Sequence, residues 1–179
     1  YEIGIFSSSD LNWPEFRKTA LVSIPEKIVD NYEGSPYEKD IKITDHFNKW
    51  IGETKQPFFS FLFLDAPHQY SYPRAFAKFM PDGKGEKNYL TVDRSGNRDV
   101  LFNQYKNSIY HSDMLVGKII NNLKEKGLYD KTKIIFTADH GQEFNESGSY
   151  GHNNSFSKEQ AKPFFFVHIP GEKPEKVDH

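Results

Sequence analysis

The sequence predicts an α/β fold, a layered α/β/α arrangement around a mainly parallel sheet, and three observations carry that prediction. Short, nearly all-apolar runs recur at 57–64 (PFFSFLFL), 133–137 (KIIFT) and 163–169 (PFFFVHI). Runs of that length and purity suit strands buried on both faces. Between them lie segments whose apolar residues repeat with the helical period. The resulting order is strand, helices, strand, long loop, helix, strand, long loop, strand, an alternation characteristic of layered α/β folds.

Each element has a local reason. Residues 2–6 read as a strand closed by Ser7-Ser8-Ser9-Asp10, a turn and cap cluster. Pro14 suits a first helical turn, which predicts a short helix to about Leu21. Residues 23–37 hold two prolines and a glycine and read as loop. Over 39–52, Ile43, Phe47, Trp50 and Ile51 share one helical face, and Gly52 ends the helix. Residues 65–98 carry six Pro and Gly residues and little pattern, the mark of a functional or mobile loop. Residues 99–126 form the clearest helix, with Leu101, Tyr105, Ile109, Val116, Ile119, Ile120 and Leu123 in period and Gly127 as its C′ residue.

Composition narrows the function classes. With 16 Phe and 10 Tyr, the chain can build a substantial core. A net charge of −2 gives no bulk attraction to a polyanion, so no nucleic-acid partner is expected. The absence of cysteine excludes thiolate metal sites, a cysteine nucleophile and disulfides. The longest apolar run, 57–64, falls far short of the ~20 residues that cross a bilayer. The chain opens on a strand already under way and closes on a charged tail, so the expectation is a piece of a longer protein.

The chemistry concentrates where strands end. In open α/β sheets ligands bind beyond the carboxyl ends of the strands. One strand runs into Asp65-Ala66-Pro67-His68 and another into Ala138-Asp139-His140-Gly141, with His152 following in a polar, glycine-containing loop. Asp139 offers a hard oxygen and His140 a borderline nitrogen, a pairing that suits Zn²⁺ or Mn²⁺, with His68 and His152 as further candidates. Each residue also has a plainer reading. Asp139 could cap a helix starting near Gln142, and His68 and His152 could be solvated loop residues. His168 reads as structural, His46 as a surface residue, His111 as a helix-face partner of Asp113, and His179 is terminal. The ordered combination of strand, Asp-His-Gly, polar loop and Gly-His-Asn is much more specific than any one part.

That combination, "IIFTADHGQEFNESGSYGHN", resembles the C-terminal metal motif of the sulfatase-like branch of the alkaline phosphatase superfamily. "FFSFLFLDAPHQYSYP" resembles that branch's central strand, which is followed by a substrate-side histidine. "YKNSIYHSDMLVGKIINNLKEKGLYDKTKIIFTADHG" resembles the helix and strand between them, and "IGIFSSSDLNWPEFRKTAL" is similar to the YejM/PbgA group of inner-membrane proteins. The resemblance spans essentially the whole chain and implies an alkaline phosphatase/sulfatase-like fold. It implies that Asp139 and His140 bind a divalent metal (Zn²⁺, Mn²⁺ or Mg²⁺). It implies that His68 and His152 contact a phosphate or sulfate group, or a second metal.

The family's nucleophile and another acidic ligand lie in the N-terminal half of its domain, and nothing in this chain matches them. Ser7, Ser8 and Ser9 read as a turn. Residues 1–179 are therefore expected to be a single partial domain, the C-terminal half, with the nucleophile outside it and no turnover on its own. The implied parent is a metal-dependent phosphoric or sulfuric ester hydrolase or phosphotransferase. It would be membrane-anchored through an N-terminal region, on the periplasmic face of a bacterial inner membrane, and act on an anionic ester or lipid head group. The alternative is an inactive sulfatase-fold module that binds lipid or lipopolysaccharide and regulates envelope partners. Arg74, Lys78, Lys84, Lys87, Arg94 and Arg98 of the long loop could meet an anionic head group or simply be solvated.

Overall fold

β1 (Glu2–Ser7) lies between β2 (Ile28–Val29) and β3 (Phe58–Phe63) in a three-stranded parallel sheet. The computed structural model describes residues 1–13, 15–55, 57–83 and 98–176. Pro14, Lys84, Gly85, Lys87, Arg94, Gly96 and His179, which entered the sequence reading, lie outside the described residues. The chain divides into two units, Tyr1–Ile119 and Ile120–His179.

In the first unit, parallel pairing runs from Glu2↔Phe58 to Ser7↔Phe63. Parallel neighbours need a crossover, and α1 (Pro36–Glu53) supplies it. Its start is fixed by a capping box: the Glu38 carboxylate accepts the Ser35 N–H at 2.7 Å, and Pro36 occupies the first turn. Its buried stripe is Asp40, Ile43, Thr44, Phe47 and Ile51. Phe6 of β1 meets Phe47 and Trp50 edge-on, with ring centroids 6.1 and 5.6 Å away. Burying side chains such as Ile5, Phe6 and Ile43 contributes about 1.5–3 kcal/mol each, which makes this face the core of the unit.

Three expectations change here. β2 forms inside the stretch read as loop, since two residues with a proline close by give no periodic signal. The helix expected up to Leu21 is a single 3₁₀ turn, Phe16–Lys18. Asp30 ties this segment down, accepting the Leu11 N–H at 3.0 Å and both Arg17 donors at 3.2 and 2.6 Å. Finally, β3 is not buried on both faces: Phe59 is 57% exposed and Phe61 42%.

α2 (Arg98–Glu125) starts and ends one residue before the span expected from its periodicity. Its polar face grips the early part of the long loop. Asn107 accepts the Phe79 N–H at 2.8 Å and donates to its carbonyl at 3.0 Å, while Asn103 and Gln104 donate to the carbonyls of Pro81 and Asp82. Arg74 is engaged by the buried Asp82 carboxylate, and the Lys78 ammonium sits 4.7 Å from the Tyr110 ring centre. Arg98 lies 3.7 Å from the Asp99 carboxylate.

His111 departs from its expected role. It is fully buried, neither ring nitrogen has a hydrogen-bond partner among the described residues, and Asp113 is exposed. Residues two apart on a helix do not face each other. The imidazole instead meets the rings of Phe76 and Tyr37 edge-on at 4.8 and 6.0 Å. Burial, helped by the Lys118 charge, pushes its pKa down to about 4. The folded state therefore resists a proton that the unfolded chain accepts near the ordinary value of about 6.5. Stability that His111 allows above that pH is lost as pH falls toward 4, by up to ~3 kcal/mol. Urea unfolding from pH 7 to pH 4 should show this loss in the wild type and a shallower one in His111→Phe.

In the second unit, Gly127 (φ +63°) ends α2 in a Schellman motif: the Leu128 N–H donates to the Leu123 carbonyl at 2.8 Å and the Gly127 N–H to Lys124 at 3.0 Å. β4 (Ile134–Thr137) pairs with β7 (Phe165–His168) antiparallel, from Ile134↔His168 to Thr137↔Phe165. The parallel order predicted from alternation thus holds for the sheet of the first unit and not for this pair. The chain between β4 and β7 holds only a two-residue hairpin pair, β5 (Glu143–Phe144) and β6 (Tyr150–Gly151), and the four-residue α3 (Lys158–Ala161). Antiparallel pairing needs no crossover helix. Ile135, Phe165 and Phe166 are 62–65% exposed, so these strands too carry apolar side chains on an open face. His168 stacks on Tyr129 at 4.1 Å, the structural role expected of it. His46, exposed, meets the Tyr32 hydroxyl at 2.7 Å.

Candidate active site

β4 ends at Thr137, and the next residues turn away from the strand pair. Gly141 makes that turn possible. Its N–H donates to the Gln160 carbonyl at 2.8 Å, and a Cβ at this position would overlap the Glu159 carbonyl oxygen. The close approach of α3 positions Asp139 and His140 at the surface, where their side chains are 70% and 31% exposed. No helix starts near Gln142, so Asp139 is not a cap; its Oδ1 accepts the His140 N–H at 3.1 Å.

His140 Nδ1 lies 2.8 Å from the Gly141 carbonyl, which accepts the ring proton and fixes the tautomer with Nε2 bearing the lone pair. That Nε2 is 3.7 Å from Asp139 Oδ1. Two donors on one cation, with bonds of 2.0–2.2 Å, stand about 3.4 Å apart in tetrahedral geometry. The two residues therefore fit two positions of a divalent-metal donor set. Among the described residues no group of three or more His, Asp or Glu side chains is arranged to hold an ion.

His152 comes to the same place. The β5–β6 pairing sets Glu143 opposite Gly151, so His152 returns beside Gln142. Gly151 (φ +91°) and Asn153 (φ +64°) flank it in left-handed backbone, which re-aims the chain within one residue on each side. Its ring stacks on that of His140, centroids 4.0 Å apart and 28° between planes, and its Nδ1 lies 3.0 Å from Gln142 Oε1.

Between the two histidines in sequence lies Glu143, completely buried. Oε1 accepts the N–H groups of Ser147 and Ser149, each at 3.0 Å. Oε2 accepts Ser157 Oγ at 2.7 Å, Gln160 Nε2 at 2.8 Å and Ser155 Oγ at 3.1 Å. The Ser157 hydroxyl, then Gln160 and the two backbone donors, hold the carboxyl down to about 2 against its burial.

His68 belongs to the first unit, at the carboxyl end of β3. Its N–H donates to the Asp65 carbonyl at 3.1 Å, and its half-exposed ring has Nδ1 4.0 Å from Asp65 Oδ1. Burial raises the Asp65 pKa, while His68 pulls it back. The turn is fixed by Asp40 of α1, whose Oδ1 and Oδ2 accept the N–H groups of Asp65 and Ala66 at 3.0 and 3.1 Å. Ser8 Oγ also accepts the Asp65 N–H at 2.9 Å. Burial pushes Asp40 up to about 7 despite those donors. Ser7 Oγ donates to the Ser9 carbonyl, the turn role expected of it, while Ser8 Oγ donates to the Phe63 carbonyl and so ties the end of β1 to β3.

Of the predicted site residues, Asp139, His140 and His152 come together, and His68 stands with Asp65 in its own unit. Sequence reasoning missed Asp40, Gln142, Glu143 and Gln160. Asp40 had a legible signal, a carboxylate on the apolar stripe of α1. Glu143 and Gln160 had none, because a polar residue in a polar loop reads as solvated.

The sulfatase family model matches residues 9–179. The phosphoethanolamine transferase EptA of Escherichia coli K12 is 33% identical over 81 residues, which is 45% of this chain and 14% of that protein. The lipoteichoic acid synthase-like protein YvgJ of Bacillus subtilis is 25% identical over 155 residues, 78% of this chain and 22% of that protein. The matched stretches thus span less than a quarter of these relatives. The phosphonate monoester hydrolase of Agrobacterium radiobacter superposes with a TM-score of 0.67 at 15% identity, over 96% of this chain and 51% of that one, a likeness of fold.

Proposed function

Given that the chain belongs to the sulfatase family, we propose that it forms the metal-binding side of an ester-processing active site in a phosphotransferase or phosphoric or sulfuric ester hydrolase. The observation that carries this reading is the disposition of His140: Nδ1 committed to the Gly141 carbonyl, Nε2 3.7 Å from Asp139 Oδ1, and His152 stacked alongside. Asp139 and His140 hold the divalent metal, whose chemistry here is Lewis-acid polarisation of a phosphoryl or sulfuryl oxygen. His152 contacts the anionic group or a second metal through Nε2, its Nδ1 being turned to Gln142, and His68, in its own unit, is proposed for a phosphate or sulfate contact or a second metal. The relatives that are phosphoethanolamine transferases favour a phosphoester as substrate.

Residues 1–179 are, on this reading, part of one sulfatase-like domain, with the nucleophile outside them. The exposed apolar side chains of β3, β4 and β7 support a larger domain, as does the 51% coverage of the hydrolase structure. We place the parent in the envelope, with the YejM/PbgA-like group, anchored outside this chain. No helix among the described residues is long and apolar enough to cross a membrane.

The test is turnover of aryl phosphate and aryl sulfate esters by the full-length protein, with and without chelator. Activity should fall a hundredfold or more with Asp139→Ala or His140→Ala, and metal removal should mimic the loss. Turnover that survives both substitutions contradicts the reading. A wild type without turnover, whose binding to anionic lipid vesicles survives Asp139→Ala, points instead to the binding module.

A further inference from the structure

We propose that Glu143 is the positioning residue of the His140–His152 pair, the group that holds both imidazoles in one orientation and one tautomer. The proposal rests on the reading of that pair as the metal side of the site. The hydrogen bonds trace a continuous chain from Glu143 to His140. Glu143 Oε2 accepts Gln160 Nε2 at 2.8 Å; the Gln160 carbonyl accepts the Gly141 N–H at 2.8 Å; the Gly141 carbonyl accepts the His140 ring proton at 2.8 Å. On the other side, Glu143 precedes β6 in the hairpin and pairs with Gly151, so its backbone sets Gln142 against His152 Nδ1 at 3.0 Å. Its Oε1 closes the hairpin turn through Ser147 and Ser149, and its Oε2 gathers Ser155 and Ser157 after His152.

The chemistry explains why a carboxylate is needed. Five donors converge on two oxygens, and only an acceptor-only group satisfies all of them. Ser147 and Ser149 offer backbone N–H groups that cannot rotate away. A glutamine would turn an NH₂ toward one set of these donors. Glu143 does not itself face the bound group; it acts through Gln160, Gly141 and Gln142, as outer-shell partners of metal-binding histidines do.

The experiment is histidine-ring ¹H–¹⁵N correlation on metal-free, ¹⁵N-histidine-labelled full-length protein, with Zn²⁺ titration as a second readout. In the wild type His140 and His152 should each show one tautomer, protonated on Nδ1. In Glu143→Gln both should become tautomer mixtures or broaden, while His111 and His168 keep their signals, and Zn²⁺ affinity should drop about 10–100-fold. Glu143→Ala should do the same if it folds; Glu143→Gln, which keeps the side-chain volume, decides the matter if it does not. Unchanged His140 and His152 signals, well below the unfolding temperature, with Zn²⁺ affinity within twofold of wild type, would overturn the proposal even if thermal stability falls. A wild type that takes up no Zn²⁺ would refute the metal reading alone, because the ring spectra still decide the role of Glu143.

Discussion

Alanine at Gly141 is expected to cost the protein about 3 kcal/mol or more, the upper range for forcing a methyl into a filled site. The obstacle is backbone: the new Cβ would overlap the Glu159 carbonyl oxygen, which cannot rotate away as a side chain could. α3 must move, and with it goes the 2.8 Å bond from the Gly141 N–H to the Gln160 carbonyl, a further ~1 kcal/mol. Gln160 also donates to Glu143, so the displacement reaches the segment that carries His152. Urea unfolding of Gly141→Ala gives the energy, and the His140 and His152 ring signals report the site. A loss under about 1 kcal/mol, the size of an ordinary substitution, would mean that the approach of α3 to Gly141 does not hold Asp139 and His140 in place.

The second large effect is expected at Asp40. Removing its carboxylate in Asp40→Ala strands the buried Ala66 N–H and leaves the Asp65 N–H with Ser8 Oγ as its acceptor among the described residues. An orphaned buried donor costs about 1–3 kcal/mol, and the lost packing adds to that. Asp40→Asn keeps the shape but removes the charge and turns an NH₂ toward one of the two backbone donors. The Asp40 pKa is raised to about 7 in the folded protein, above the ordinary carboxylate value of about 3.8. Its titration therefore favours folding most below pH ~4, and that advantage is lost as pH rises to 7. The stability difference between wild type and Asp40→Asn should shrink across that interval in urea unfolding. Amide exchange at Asp65, Ala66 and His68 should accelerate in both variants, because the turn that presents His68 hangs on this carboxylate. Unchanged exchange in Asp40→Ala would detach Asp40 from the turn.

Elements with a repeating signal were legible in the sequence. The stripe of Ile43, Phe47 and Ile51 placed α1, and Gly127 marked the C′ position after α2. The start of α1 was misread: the apolar pattern suggested residue 39, whereas the capping box Ser35-Pro36-Tyr37-Glu38 starts the helix at Pro36, inside the stretch read as loop. β2 was not legible, because two residues define no period and its partner β1 is more than 20 residues away. The exposed faces of β3 and β7 were misread, because apolarity reports what a side chain prefers and not what covers it. At the site, Asp139, His140 and His152 stood out through residue type and order. Glu143 and Gln160 did not, because their role depends on loop closure that brings residues 17 apart into one hydrogen-bonded cluster.

The central claim is that Asp139 and His140 hold a divalent metal. It is tested most directly by elemental analysis of the full-length protein and of its Asp139→Ala, His140→Ala form, both purified with metal supplied. The account predicts Zn²⁺, Mn²⁺ or Mg²⁺ at or above one equivalent in the wild type and its loss in the variant. Equal metal content in the two proteins, or none in either, would contradict it.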